Sequence, residues 1–120
     1  KLDKSYFYPI HEYIFWIKKS KESKPYFNRK NSTLNKSIWN MNPAVNNNHP
    51  APFPIDLVKN CILMTTKEND LIYDCFMGSG TTAKAATELK RNYIGSELNI
   101  DYINKHIKEE QYINNQIKLF

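Results

Sequence analysis

An apolar run, Leu71-Ile72-Tyr73-Asp74-Cys75-Phe76, is cut off by Met77-Gly78-Ser79-Gly80, and good helix formers from Thr81 to Leu89 follow at once. Few folds accommodate that order. A short continuous apolar run marks a strand of a parallel sheet, where both faces are covered. The glycines allow a sharp reversal, and a helix starting there aims its first amides at the strand's carboxyl end. Asn92 to Ser96 (NYIGS) reads as a second short strand, and Asn99 to Phe120 as a long helix with Ile100, Ile103 and Ile107 on one face. Upstream, Ile55 to Thr66 places Leu57, Val58, Cys61, Ile62 and Thr65 on one helical face. Helix, strand, glycine loop, helix, strand, helix predicts βαβ connections and a parallel sheet.

In an open α/β sheet, ligands bind in the crevice beyond the carboxyl ends of the strands. Read by itself, Gly78-Ser79-Gly80 fits a tight turn as well as a ligand loop. Its neighbours narrow the ligand class. Nucleoside triphosphate loops carry Lys after their last glycine, and here Thr81 stands in that place. Dinucleotide loops want a third glycine three positions after Gly80, where Ala83 is a partial match. Glu97 lies 19 residues beyond Gly78, at the end of the second strand. An acid there can accept bonds from ribose hydroxyls. Taken alone, Glu97 reads equally as a solvated strand-end acid; loop and acid together point to a nucleoside ligand.

The rest of the chain differs in character. Residues 10–17 (IHEYIFWI) are β-branched and aromatic and predict a further buried or half-buried strand. Lys18 to Pro25 reads as an exposed turn. Residues 28–48 hold eight asparagines, which favour turns over helix or ladder, so a long loop or small irregular subdomain is expected. His49 to Pro54 (HPAPFP) has Pro at every second position and is stiff and extended. The net charge of +5 is concentrated early: residues 1–48 carry nine Lys/Arg against three Asp/Glu, and residues 49–120 eight against nine. A basic front on a near-neutral remainder suggests a polyanion contact, with a solvated Lys-rich surface as the plainer alternative. At 120 residues and 41% hydrophobic, the chain suits one globular domain and excludes collagen-like or wholly disordered classes. No apolar run approaches the ~18 residues of a membrane helix. Cys61 and Cys75 are too few for a disulfide framework; each sits in an apolar run, which predicts small hydrophobes and a reducing, intracellular compartment. His11, His49 and His106 do not fall at metal-ligand spacing with the cysteines, so no metal site is expected.

Several of these segments, in this order, resemble a known family. DCFMGSGTT (residues 74–82) is similar to the Asp-Pro-Phe-x-Gly-Ser-Gly-Thr-Thr motif of S-adenosylmethionine-dependent DNA methyltransferases that modify a base amino group. HPAPFP resembles the His-Pro-x-x-x-Pro motif that precedes it, RNYIGSELN the Arg-x-x-x-Gly-x-Glu motif that follows, and IHEYIFWIKK the strand that begins His-Glu. The order is that of the permuted (beta) class, in which the catalytic half comes first and the cofactor half last, and the match runs over roughly residues 8–112. The resemblance implies an α/β fold: a partial Rossmann-like methyltransferase sheet, three or four strands present, with helices on both faces. It divides the chain into a catalytic-sheet strand region (1–17), a target-recognition-like basic Asn-rich loop (18–48) and an S-adenosylmethionine-binding part (49–120). By the same resemblance Asp74, Phe76, Gly78, Ser79, Gly80 and Thr81 cradle the methionine part of the cofactor, largely through backbone groups, and Thr82 starts the helix. Glu97 binds the ribose, and His49, Pro50, Phe53 and Pro54 close the pocket over the methionine end. Lys18, Lys19, Lys24, Arg29, Lys30, Lys36 and Trp39 are candidate contacts to double-stranded DNA, through phosphate or base bonding and stacking.

The chain departs from the family in two places. Cys75 stands where Pro is usual, and the contacts there are to backbone, so cofactor binding is expected to survive. The tetrapeptide Asp/Asn/Ser-Pro-Pro-aromatic, which holds the target amine, is absent; Asn42-Pro43-Ala44-Val45 lacks the second Pro and the aromatic. In the permuted class it lies upstream of the His-Glu strand, hence before Lys1, and a start without Met agrees with that. No catalytic residue is expected in this segment. The expectation is the C-terminal part of a site-specific methyltransferase from a bacterial, cytoplasmic restriction–modification system, inactive alone. Adenine is placed ahead of cytosine as target on family frequency. Its partners are double-stranded DNA and an N-terminal catalytic half on the same or a separate chain, with a homodimer also allowed and no membrane. A non-catalytic DNA-binding or regulatory remnant is the alternative, and an NAD-binding oxidoreductase domain a distant one.

Overall fold

The computed structural model describes residues 11–42, 44 and 53–104. Four elements follow one another: α1 (Ile55–Thr65), β1 (Leu71–Asp74), α2 (Thr81–Glu88) and β2 (Asn92–Gly95). Residues 100–104 are also helical. β1 and β2 pair in parallel, with Leu71 opposite Asn92 and Asp74 opposite Gly95. The expected strand–loop–helix–strand unit is therefore present, each element within two residues of its expected end.

The register explains the core. Side chains alternate along a strand, so Ile72 and Tyr93, which are partners, share one face. Ala83, Ala85 and Ala86 of α2 are all fully buried. Carrying only a methyl group, they let α2 lie close to its neighbours. Ile62 of α1 joins Ala85 and Ala86 in one cluster, with Ile55, Val58, Ile72, Leu89 and Tyr93 packed against it. Both helices thus sit on the Ile72 and Tyr93 side of the strands. Lys59 and Glu88 form an ion pair across the two helices.

Each helix ends on a specific set of bonds. At the end of α2, Lys90 takes a left-handed φ of 59°. Its amide donates to the Thr87 carbonyl and the Arg91 amide to the Ala86 carbonyl, at 3.0 and 2.8 Å. That pair of bonds is the Schellman closure, usually built on Gly. The carbonyls at the end of α1 are met from far away in sequence. Asn28 donates its amide to the Met64 carbonyl at 2.8 Å and its side chain to Leu63. Arg91 donates to both the carbonyl and the hydroxyl of Thr66.

Several expectations are corrected. Two strands, rather than three or four, are paired among the described residues. Residues 11–17 form no strand, and Tyr13 to Ile17 are exposed. Their composition favours extended pairing, but a ladder needs a neighbour for its amides and carbonyls. β1 and β2 pair with each other, and no described strand lies beside 11–17. Helices on both faces are not seen among the described residues: Leu71 and Tyr73, which alternate away from the helix side, are exposed. The first apolar run leaves the ladder at Asp74, so Cys75 is exposed rather than a buried hydrophobe. The helix expected over residues 99–120 is present at 100–104, and the rest lies outside the described residues.

Candidate functional site

The C-terminal ends of β1 and β2 carry the site. Past Asp74 the chain turns tightly: the Phe76 amide donates to Asp74 Oδ1 at 2.9 Å, and the Gly80 amide to the Met77 carbonyl at 2.9 Å. Gly78 and Gly80 have φ of 53° and 85°, in the left-handed region where a Cβ is penalised. Gly80 is the N-cap of α2 and provides no side-chain cap. The helix starts at Thr81, one residue before the expected Thr82. Its first amides lie beside the strand ends, the positive pole of the helix.

Glu97 closes the arrangement from the β2 side. Its Oε2 accepts the Gly78 amide at 2.7 Å, and its Oε1 the Asn99 amide at 2.8 Å. The acid and the glycine loop, 19 residues apart, are thus in direct contact. Asn99 in turn begins the next helical turn: its Oδ1 accepts from the Asp101 amide, and its carbonyl from the Tyr102 and Ile103 amides.

Two further residues hold this geometry, and the sequence alone assigns them no role. Gly95 precedes Glu97 by two positions. A Cβ there would overlap Met77 Cε and lie 3.1 Å from Met77 Cβ and Cγ. Met77 is buried, and its amide bonds the Ser96 carbonyl at 3.0 Å. The glycine is what lets the loop fold down on β2. Arg91 is the second. Its guanidinium reaches Thr66, the C-cap of α1, and the carbonyl of Leu89, the C-cap of α2. The motif Arg-x-x-x-Gly-x-Glu signalled both positions, and only packing explains them.

The other candidate residues differ in exposure. Asp74, Gly78, Ser79, Thr81 and Glu97 are half-buried, and Gly80 is buried. Phe76 is 84% exposed at the rim. Pro54 is the N-cap of α1, and Phe53 before it is exposed. His49 and Pro50 lie outside the described residues. Lys18, Lys19, Lys24, Arg29, Lys30 and Lys36 are all exposed, on a stretch without helix or strand. Lys18 donates to the Lys21 carbonyl within its own turn. Trp39 is half-buried, and its indole N–H is held by the Leu34 carbonyl at 2.9 Å. The basic stretch is anchored through Asn28 on α1, and Phe27 packs on Trp16 with ring centroids 5.0 Å apart. Lys67 lies over the Tyr26 ring. Among the described residues no group of three His, Cys, Asp or Glu could hold a metal ion.

Comparison with known proteins gives the family of the chain. The family model for N6/N4 methyltransferases, described as "DNA methylase", matches residues 1–109. The chain is 34% identical over 109 residues to the Type II methyltransferase M1.MboII of Moraxella bovis, covering 82% of this chain and 40% of that protein. It is 40% identical over 109 residues to the Type II methyltransferase M.BglI of Bacillus subtilis, covering 82% and 30%. Among solved structures, the M1.HpyAVI complex with SAM superposes with a TM-score of 0.64 at 33% identity, covering 75% of this chain and 46% of that one. The chain spans less than half the length of each of these proteins.

Proposed function

The chain belongs to the DNA methylase family, and from that premise we propose that it forms the S-adenosylmethionine-binding, C-terminal part of a DNA amino-methyltransferase of the permuted class. The observation that carries the reading is the meeting of the Gly78 loop, the start of α2 and the Glu97 carboxylate at the ends of two parallel strands. The donor set suits this cofactor. An uncapped helix start favours a carboxylate, which the methionine end provides. An ionised carboxylate can accept about four hydrogen bonds, which suits a ribose with two hydroxyls.

Bound at this place, S-adenosylmethionine supplies a methyl group on a sulfonium centre. The chain's own residues do the holding. Gly78, Ser79, Gly80 and Thr81 offer backbone groups to the methionine end, beside Asp74 and Phe76. Glu97 orients the sugar, and Phe53 and Pro54, with His49 and Pro50, shield the donor from water. Fixing the donor in line with an acceptor removes much of the entropic barrier to transfer. A base amine inside a duplex is out of reach, so the target nucleotide must leave the stack. The exposed cations from Lys18 to Lys36 contact DNA phosphates beside that opening, and Trp39 offers a ring face for stacking.

The target amine is held by residues outside these 120, since the Pro-Pro-aromatic tetrapeptide is absent from them. The chain therefore needs a catalytic half, on the same polypeptide or another, and a pair of complete subunits is the proposed assembly. The target is adenine rather than cytosine, within restriction–modification. Calorimetric titration tests the cofactor reading: S-adenosylmethionine binds saturably and NAD does not. Binding of NAD alone overturns it. Methyl transfer to DNA by the chain alone overturns the division of labour. Nucleoside analysis of DNA modified by the complete enzyme separates N6-methyladenine, as proposed, from N4-methylcytosine.

A further inference from the structure

We infer that Glu97 is also a positioning residue, which sets the Gly78 loop before any ligand arrives. Its carboxylate touches two backbone amides, one in the loop after β1 and one in the segment after β2. Oε2 accepts from Gly78, inside the loop. Oε1 accepts from Asn99, the residue on which the next helical turn is built. Bonds from an amide to an ionised oxygen are the stronger class of hydrogen bond. A left-handed Gly78 has more conformations to lose on ordering than any other residue type, so a fixed partner matters most there. β2 is itself fixed to the loop through Met77 and Ser96, which gives the carboxylate a firm base. One side chain thus ties the loop after β1 to the segment after β2, and each oxygen serves one of them.

The two-oxygen arrangement makes a specific demand. A glutamine at position 97 keeps one acceptor oxygen and puts an NH2 where the other was. It can satisfy Gly78 or Asn99 and must face the second amide donor to donor. An alanine satisfies neither. The inference deepens the cofactor reading and rests on it only for its consequence, that the loop is ready for the methionine end; the bonds themselves are tested without cofactor.

The experiment is amide hydrogen exchange and amide-proton chemical shift by NMR on the ligand-free chain, with Ala85 and Ala86 in the core as internal controls of folding. In E97Q, one of the Gly78 and Asn99 amides moves upfield and exchanges at least about tenfold faster, since a bond to a charged acceptor is lost there, while the other holds. In E97A both change. Ala85 and Ala86 stay protected in each. If E97A loses core protection, E97Q carries the test by its one-of-two signature. Unchanged Gly78 and Asn99 amides in E97Q overturn the inference, as does equal loosening of both together with the core. Weaker S-adenosylmethionine binding by E97A with both the Gly78 and the Asn99 amides unaltered would leave the ribose role standing and remove the positioning one.

Discussion

Replacing Arg91 by Ala removes a cation that lies between the ends of both helices. Nε donates to Thr66 Oγ1 at 3.1 Å and Nη2 to the Thr66 carbonyl at 2.9 Å. Nη1 donates to the Leu89 carbonyl at 2.5 Å. Thr66 is the C-cap of α1 and Leu89 that of α2. A cation at one helix C-terminus contributes about 0.3–1 kcal/mol near the surface, so two ends give roughly 0.6–2 kcal/mol. The three hydrogen bonds are half-buried, and water replaces them in part, so about 0.5 kcal/mol each is a fair share of the usual net value. The expected loss for Arg91→Ala is about 2–3.5 kcal/mol, read by urea unfolding with an unchanged slope. Arg91→Lys should recover less than half, because a compact ammonium cannot reach three acceptors in two directions. A loss under about 0.5 kcal/mol for Arg91→Ala would refute the argument, and full recovery by Lys would refute its dependence on the planar fork.

Other outcomes follow from the same geometry. Lys90→Gly relieves a left-handed backbone at the α2 terminus and should stabilise the chain by about 0.5–1 kcal/mol in the same assay; a destabilised variant contradicts the Schellman reading. Gly95→Ala forces Met77 aside and should cost about 1–3 kcal/mol while weakening S-adenosylmethionine binding in calorimetry; an unaltered affinity contradicts the link from Gly95 to the loop. Exposed Cys75 should react with an alkylating agent well before Cys61, which is half-buried and whose thiol burial pushes above its ordinary range; mass spectrometry of peptides shows the order. The folded pKa of Cys61 lies above the unfolded one, so its contribution to stability is full below the unfolded value and is lost as pH rises through the folded one. A rise in stability across that alkaline window on Cys61→Ala, relative to the parent, checks the sign. DNA affinity of the complete enzyme should fall steeply between low and moderate salt; a flat dependence removes the basic stretch from the interface.

Local pattern made the unit from Ile55 to Glu97 legible. An apolar run, glycines, helix formers and a second run each carry their own signal, and the resulting elements contact one another directly. The 19-residue spacing of Gly78 and Glu97 reflects the length of a loop, a crossover helix and a strand, and it delivered the two into contact. Residues 11–17 form no strand because strand composition describes a side chain's preference, whereas pairing needs a neighbour that the described residues do not supply. The covered face of the strands was equally beyond reach, since periodicity says which residues alternate and not what packs on them. The roles of Arg91 and Gly95 depend on Thr66 and Met77, contacts that no local window contains. Trp39 is a stacking candidate by composition, and only the fold shows that its N–H is held by the Leu34 carbonyl.

The central claim is most directly tested by a crystal structure of the chain soaked in S-adenosylmethionine. The account predicts the methionine end against the Gly78-Ser79-Gly80 backbone at the start of α2 and the ribose hydroxyls on Glu97. Density for the compound elsewhere, or a clear crevice at saturating concentration, would contradict it.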